Sequence, residues 1–147
     1  MHSQSYIEAA FQFICFAPGP FWLALFIAPT HKWAMRVFDV FLFLLSLHFT
    51  LLTLPAVPDL LPLIAQPKFA EIHAFLSTPI GTLGSWNHMV LADLWIGRWV
   101  AQDSLNHPYP LVLRLIFLPV ILFFGPMGLC FYLVYRAAFL RQLWLRQ

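Results

Sequence analysis

The stretch Trp86–Leu105, WNHMVLADLWIGRWVAQDSL, is apolar enough to enter a bilayer and yet carries Asn87, His88, Asp93, Arg98 and Asp103. An ionisable side chain at membrane depth is expensive, so it is retained where it has a partner, a cavity or a task. At 3.6 residues per turn the helix divides into stripes: Trp86, Val90, Asp93 and Gly97 on one, Asn87, Leu94 and Arg98 on a second, His88, Trp95 and Trp99 on a third. Polar groups fall on more than one face, which suits a helix enclosed by its bundle rather than one at the lipid edge. The rest of the chain reads as a frame around this helix.

Composition agrees. Of 147 residues, 61% are hydrophobic and 10% charged, with a mean hydropathy of +0.79. A soluble domain of this length is nearer half apolar and a quarter charged. The excess cannot all enter one small core, so the bilayer must serve as solvent for much of the surface. The reading is all-α: one integral-membrane domain over residues 1–147, a bundle of four transmembrane helices with a short interfacial helix between the second and third. The net charge of +2 and scattered basic residues exclude a nucleic-acid-binding surface. Cys15 and Cys130 lie in apolar runs without a CxxC pair and read as small buried hydrophobes. The opening MHSQSYIEAA has no basic n-region and no Arg/Ser-rich transit character, so no cleavable signal is expected and a bacterial source or a processed chain is favoured.

The spans are placed at 7–28, 33–54, 83–103 and 111–135. Pro18-Gly19-Pro20 must break or kink the first, because proline removes a donor and clashes with the preceding turn. The second, VFDVFLFLLSLHFTLL at its centre, matches the ~30 Å hydrocarbon layer at ~1.5 Å per residue. A short turn, Ala28-Pro29-Thr30-His31-Lys32, makes the first two antiparallel neighbours. Pro55 to Thr82 is a proline-punctuated connection. Within it 67–76 forms the interfacial helix, with Lys68 and Glu71 on the wet side. Pro119 and Gly125-Pro126 interrupt the fourth span, and Arg136, Arg141, Trp144 and Arg146 stud the tail. Basic residues divide equally between the two sides: Lys68, Arg136, Arg141 and Arg146 against Lys32, Arg36, Arg98 and Arg114. The positive-inside rule therefore does not orient the chain, and freely exposed tail arginines tip the preference to a cytoplasmic C-terminus.

Asp93, near the middle of its span, is the most costly residue and the first candidate for a general acid or base. Its alternative is a structural carboxyl bonded to a neighbouring helix or an arginine. Arg98 is either functional or snorkelled, or paired with Asp39 or Asp103; antiparallel packing of the second and third spans brings Asp39 to its level. The same argument puts His48 and His88 at one depth, which raises metal or haem ligation, although HxxxH and HxxHH clusters are absent. Interhelical hydrogen bonds are the commoner use of such histidines. Serines sit in no GxSxG context, and neither GxGxxG nor a phosphate loop occurs. Gly125 and Pro126 either let helices pack closely or open a groove for a ligand. Sixteen Phe and the Trp86, Trp95 and Trp99 set serve packing and interface anchoring, and would also wall a flat polyene.

The motif Trp86-x-His88-x4-Asp93-Leu94-x3-Arg98-x4-Asp103-x-Leu105, supported by Phe124-Gly125-Pro126-Met127-Gly128 and by Ala28-Pro29 with Lys32, resembles the abscisic-acid-deficient-four-like family of membrane proteins. Its plant members act in neoxanthin synthesis, so the resemblance implies conversion of an epoxy-carotenoid, violaxanthin, to an allene without net redox change. An acid must protonate the epoxide oxygen and a base must remove a proton from the adjacent polyene carbon. Asp93, His88 and Arg98 would supply base, acid and oxyanion stabilisation. Trp86, Asn87, Asp39, Trp95, Gly125 and Pro126 would line the substrate. The expectation is a membrane carotenoid or isoprenoid-lipid isomerase. Its alternative is a non-catalytic carotenoid-binding or complex-stabilising subunit. No cofactor or metal is implied. Expected partners are a carotenoid or other isoprenoid lipid, membrane lipids, and a second copy or a larger membrane complex. The expected location is a bacterial inner or photosynthetic membrane.

Overall fold

A computed structural model describes residues 3–139. Arg141, Trp144 and Arg146 of the sequence reading lie outside them. Among the described residues the chain is all α, with no strand. Helices α1 (Gln4–Phe16) and α2 (Gly19–Ile27) are separated at Ala17-Pro18, where the missing proline N–H ends the first ladder. Helix α3 (Lys32–Thr53) hides its hydroxyls along the apolar run: Ser46, Thr50 and Thr53 each donate to the carbonyl four residues back. A 3-10 turn (Leu54–Ala56) leads into α4 (Val57–Ala65), and α5 (Phe69–Leu76) follows. Helix α6 (Pro79–Ser104) carries the polar motif, and α7 (Pro110–Phe124) and α8 (Pro126–Phe139) complete the order.

The placement of helices departs from expectation in three ways. The connection holds two short helices, not one. Pro58 at the second position of α4 sits where its missing donor costs nothing, so proline starts that helix rather than preventing it. α6 begins a turn early for the same reason, at Pro79, where Thr78 Oγ1 accepts from the Gly81 N–H. The fourth span is two helices, of 15 and 14 residues, broken at Gly125. At ~1.5 Å per residue neither alone reaches across ~30 Å of hydrocarbon. Among the described residues two stretches, Gln4–Ile27 and Lys32–Ala65, are long and apolar enough to cross a membrane, and α7 is apolar but shorter. Of the four expected spans, the first two are met by such stretches. Large apolar side chains, Phe16, Ile27, Phe69 and Phe123 among them, stand exposed, as a lipid-solvated surface requires.

The chain forms two compact units. One comprises the described residues to Pro18 with Asp39–Leu91; the other comprises Gly19–Phe38 with those from Ala92 on. Ile14, Leu45, Leu52 and Leu83 are core residues of the first. Trp22, Leu25, Phe38, Leu94, Leu118, Ile121 and Tyr132 are core residues of the second.

Candidate functional site

In the second unit, Phe124 ends α7 and Gly125 takes φ +38, ψ −99, a conformation that costs a residue without a Cβ little. Pro126 then starts α8, its missing N–H falling where none is needed. The Asp93 carboxylate lies directly against buried Gly125, and a Cβ at position 125 would overlap its Oδ1 and Cγ. One turn along α6, Gly97 accommodates buried Trp22 in the same way. The Asp93 and Gly97 stripe thus packs a carboxylate on the α7–α8 break and an indole on α2. Among the described residues, Asp93 has no hydrogen bond or ion pair. Gly125→Ala combines a left-handed backbone penalty with overpacking. It is expected to lose about 2–4 kcal/mol, read as a fall in unfolding temperature of the detergent-solubilised protein. A loss near zero would mean that Asp93 moves aside freely.

Ten residues along α6, Asp103 gathers a second polar group. Its Oδ2 accepts from Tyr132 Oη at 2.6 Å, from His107 Nε2 at 3.2 Å and from Arg136 Nη1. Tyr132 and Arg136 are buried. Trp99 meets the Tyr132 ring edge-on at 5.6 Å, and the Arg136 guanidinium lies 5.7 Å from the Trp99 centroid. Phe117 closes the other side of Tyr132 at 5.1 Å. One oxygen of the carboxylate takes all three donors, and the Tyr132 and Arg136 bonds tie α6 to α8.

Arg98, one candidate in the motif, stacks its guanidinium 5.5 Å from the Phe38 centroid. Its expected alternative partner Asp103 is committed to Tyr132, His107 and Arg136. Asp39 lies on α3 at an exposed position. Arg114 is buried on α7, where its Nε–H donates to the Phe26 carbonyl at 3.2 Å and so satisfies an end of α2.

The first unit holds a separate polar chain. Asn87, fully buried, donates from Nδ2 to His48 Nδ1 at 2.8 Å and to the Leu45 carbonyl at 3.4 Å. The carbonyl partner fixes the amide orientation, because two carbonyl oxygens cannot bond each other. His48 Nδ1 is therefore the acceptor, and Nε2–H faces Tyr6 Oη at 3.0 Å. Both His48 nitrogens are engaged, so His48 offers no nitrogen to a metal in this arrangement. No cluster of three or more His, Cys, Asp or Glu suited to a metal occurs among the described residues. Trp86 packs on Phe11 at 5.4 Å, and its buried Nε1–H, like Asn87 Oδ1, has no hydrogen-bond partner. His88 lies 5.8 Å from the Phe49 ring.

The stripes read from sequence acquire environments. Asn87 and Leu94 are buried, while His88 and Trp95 are exposed. His88, Asp93 and Arg98 recur every fifth residue, so successive members point about 140° apart around α6. Gly125 is brought to Asp93; Pro126 beside it is exposed. Sequence reasoning passed over Tyr132, Arg136, His107 and Tyr6 as site residues. The i,i+4 pairs Asp103/His107 and Tyr132/Arg136 were the available signal for the first three. Tyr6 had none, since 42 residues separate it from His48.

Among known proteins, neither a curated protein nor a solved structure gives a match. The model of the family described as ABA DEFICIENT 4-like matches residues 9–132, a range that contains Asp93, Arg98, Asp103 and the Gly125 break. With two stretches able to cross a bilayer, the chain is a membrane protein, and it belongs to the ABA DEFICIENT 4-like family.

Proposed function

We propose that this chain is a membrane-embedded isomerase of a carotenoid or related isoprenoid lipid, with Asp93 as its acid–base residue. The observation that carries the reading is a half-buried carboxylate seated on Gly125 with no partner of its own among the described residues. Family membership supplies the substrate class, since the family is linked to conversion of an epoxy-carotenoid to an allene. That reaction is proton-neutral. A base removes the proton from the polyene carbon, the electron pair forms the new C=C bond, and the epoxide C–O bond breaks. The oxygen then takes a proton to become a hydroxyl. One carboxyl positioned between carbon and oxygen can perform both transfers in turn. This matters because His88 and Arg98 leave α6 on other faces. Arg98 would act on the developing oxyanion through its field rather than by contact.

In this reading α6 and the α7–α8 pair also cross the bilayer, which makes four passes. Polar and charged positions, Asn87, His88, Asp93, Arg98, Gln102 and Asp103 among them, dilute the hydropathy of α6, and the Gly125 break divides the last pass. The test is expression in a carotenoid-producing host followed by pigment chromatography. Membranes with wild-type protein are expected to accumulate a pigment of unchanged mass and altered absorption, and membranes with Asp93→Asn are not.

One observation favours a non-catalytic, pigment-holding subunit instead. The site offers a single unpartnered acid–base group rather than a matched pair. Unchanged pigment co-purifying with the wild type, with no product, would select that reading.

A further inference from the structure

Away from Asp93, the first unit contains an open cavity of about 330 Å³ between the end of α3, α4, α5 and the start of α6. Its walls include Phe49, Leu60 and Phe75, and the α6 side is formed by Gly84, Ser85 and His88. Ser85 and His88 are three residues apart, so they project from one face of α6 into the same space. Both are exposed, and among the described residues neither side chain has a hydrogen-bond partner. No charged side chain contributes to the wall. A volume near 300 Å³ suits a small ligand, and a mostly apolar lining with a few convergent polar groups is the usual form of such a site.

These features restrict the occupant. It must be neutral, because no charge faces it. It must be largely apolar, because the wall is otherwise hydrocarbon apart from Ser85, His88 and Thr53, whose hydroxyl is already given to the Phe49 carbonyl. It must present an oxygen acceptor at α6, where the imidazole N–H and the Ser85 hydroxyl are both available as donors. The Phe49 and Phe75 rings offer it an aromatic wall on which a planar ring can pack, the Phe49 ring standing 5.8 Å from His88 and tilted 46° to it. We infer that this cavity binds the ring of a quinone-type lipid, with a ring carbonyl accepting from His88 and Ser85 and the tail leaving through the open side. Gly84 forms part of the wall where α6 meets α3: a Cβ there would stand 3.6 Å from Thr53 Cγ2 and 3.9 Å from Leu52 Cδ2, so a leucine would crowd the Thr53 side of the cavity.

The experiment titrates decylubiquinone into the full-length protein in detergent micelles and follows saturable quenching of tryptophan fluorescence, with free tryptophan in the same micelles as the partition control. Wild type is expected to saturate. His88→Ala and Ser85→Ala, both at exposed positions that leave the fold intact, are each expected to weaken binding about 5- to 10-fold, the usual worth of one hydrogen bond. Gly84→Leu is expected to abolish saturation. Decylbenzene, with the same tail and no carbonyl, is expected not to compete. The inference is overturned if the wild type shows only the partition control's quenching. It is equally overturned if the His88 and Ser85 variants bind like wild type, or if decylbenzene competes as well as an unlabelled quinone.

Discussion

Asp103→Ala is expected to destabilise the protein by about 3–5 kcal/mol, the largest single stability effect among the polar residues of α6. The reason is what the substitution leaves behind. Arg136 is buried, 2% exposed, and loses the carboxylate that accepts from its Nη1. Tyr132, fully buried, loses the acceptor of its 2.6 Å hydrogen bond. His107 loses its partner as well. Removing one member of a buried pair costs far more than the pair itself contributes, so the effect belongs to the donors that lose this acceptor rather than to the missing atoms. Asp103→Asn keeps an acceptor for Tyr132 but removes the charge, and should fall between alanine and wild type. Replacing both partners, Asp103→Leu with Arg136→Met, should recover much of the loss, because apolar groups of similar volume satisfy a buried site without desolvated charge. Unfolding temperatures in detergent check all three. A loss below about 1 kcal/mol for Asp103→Ala would mean that water reaches Arg136 and that the cluster is not a buried one.

Asp93→Asn should give the opposite signature. Its carboxylate has no hydrogen-bond partner among the described residues, so replacing it by an isosteric amide removes no bond and relieves a desolvated charge. Stability should change by less than about 1 kcal/mol. Turnover should fall by ~100-fold or more, since a general acid–base residue typically contributes 10²–10⁴ in rate. Asp93→Glu tests placement. The added methylene has to fit a carboxylate already in contact with Gly125, so the longer acid should be displaced from its seat and lose activity despite keeping its chemistry. The two substitutions are thus expected to separate two uses of a carboxylate on one helix: stability at Asp103, which holds three donors, and chemistry at Asp93, the residue proposed for it.

Much of this was legible before the structure. Pro18 and Gly125-Pro126 announced breaks, because a missing donor and a glycine backbone have fixed local consequences. The apolar run of α3 declared its length. Asp93 declared itself by cost alone. What was not legible depended on pairing across helices. Periodicity assigns Asp103 to a face but cannot say that Tyr132 and Arg136 will meet it, and so Asp103 was read only as a partner for Arg98. The same limit applies to His48. Its depth suggested a match with His88, whereas its actual neighbours are Asn87 on α6 and Tyr6 on α1. Of the two interruptions expected in the last span, only Gly125-Pro126 divides the helix; Pro119 stays inside α7. The adjacency of Gly125 and Asp93 joins the two motifs on which the family resemblance rested, although 32 residues separate them along the chain.

Proton transfer by Asp93 on an isoprenoid lipid, as proposed, can be followed in a purified system. The most direct measurement supplies a single epoxy-carotenoid in micelles to the purified protein and follows the pigment by chromatography and mass. Wild type is expected to form an isomer of identical mass, and Asp93→Asn, folded and at the same unfolding temperature, is expected to form none. Equal conversion by the two proteins, or no conversion by wild type with the epoxide bound unchanged, would contradict that proposal.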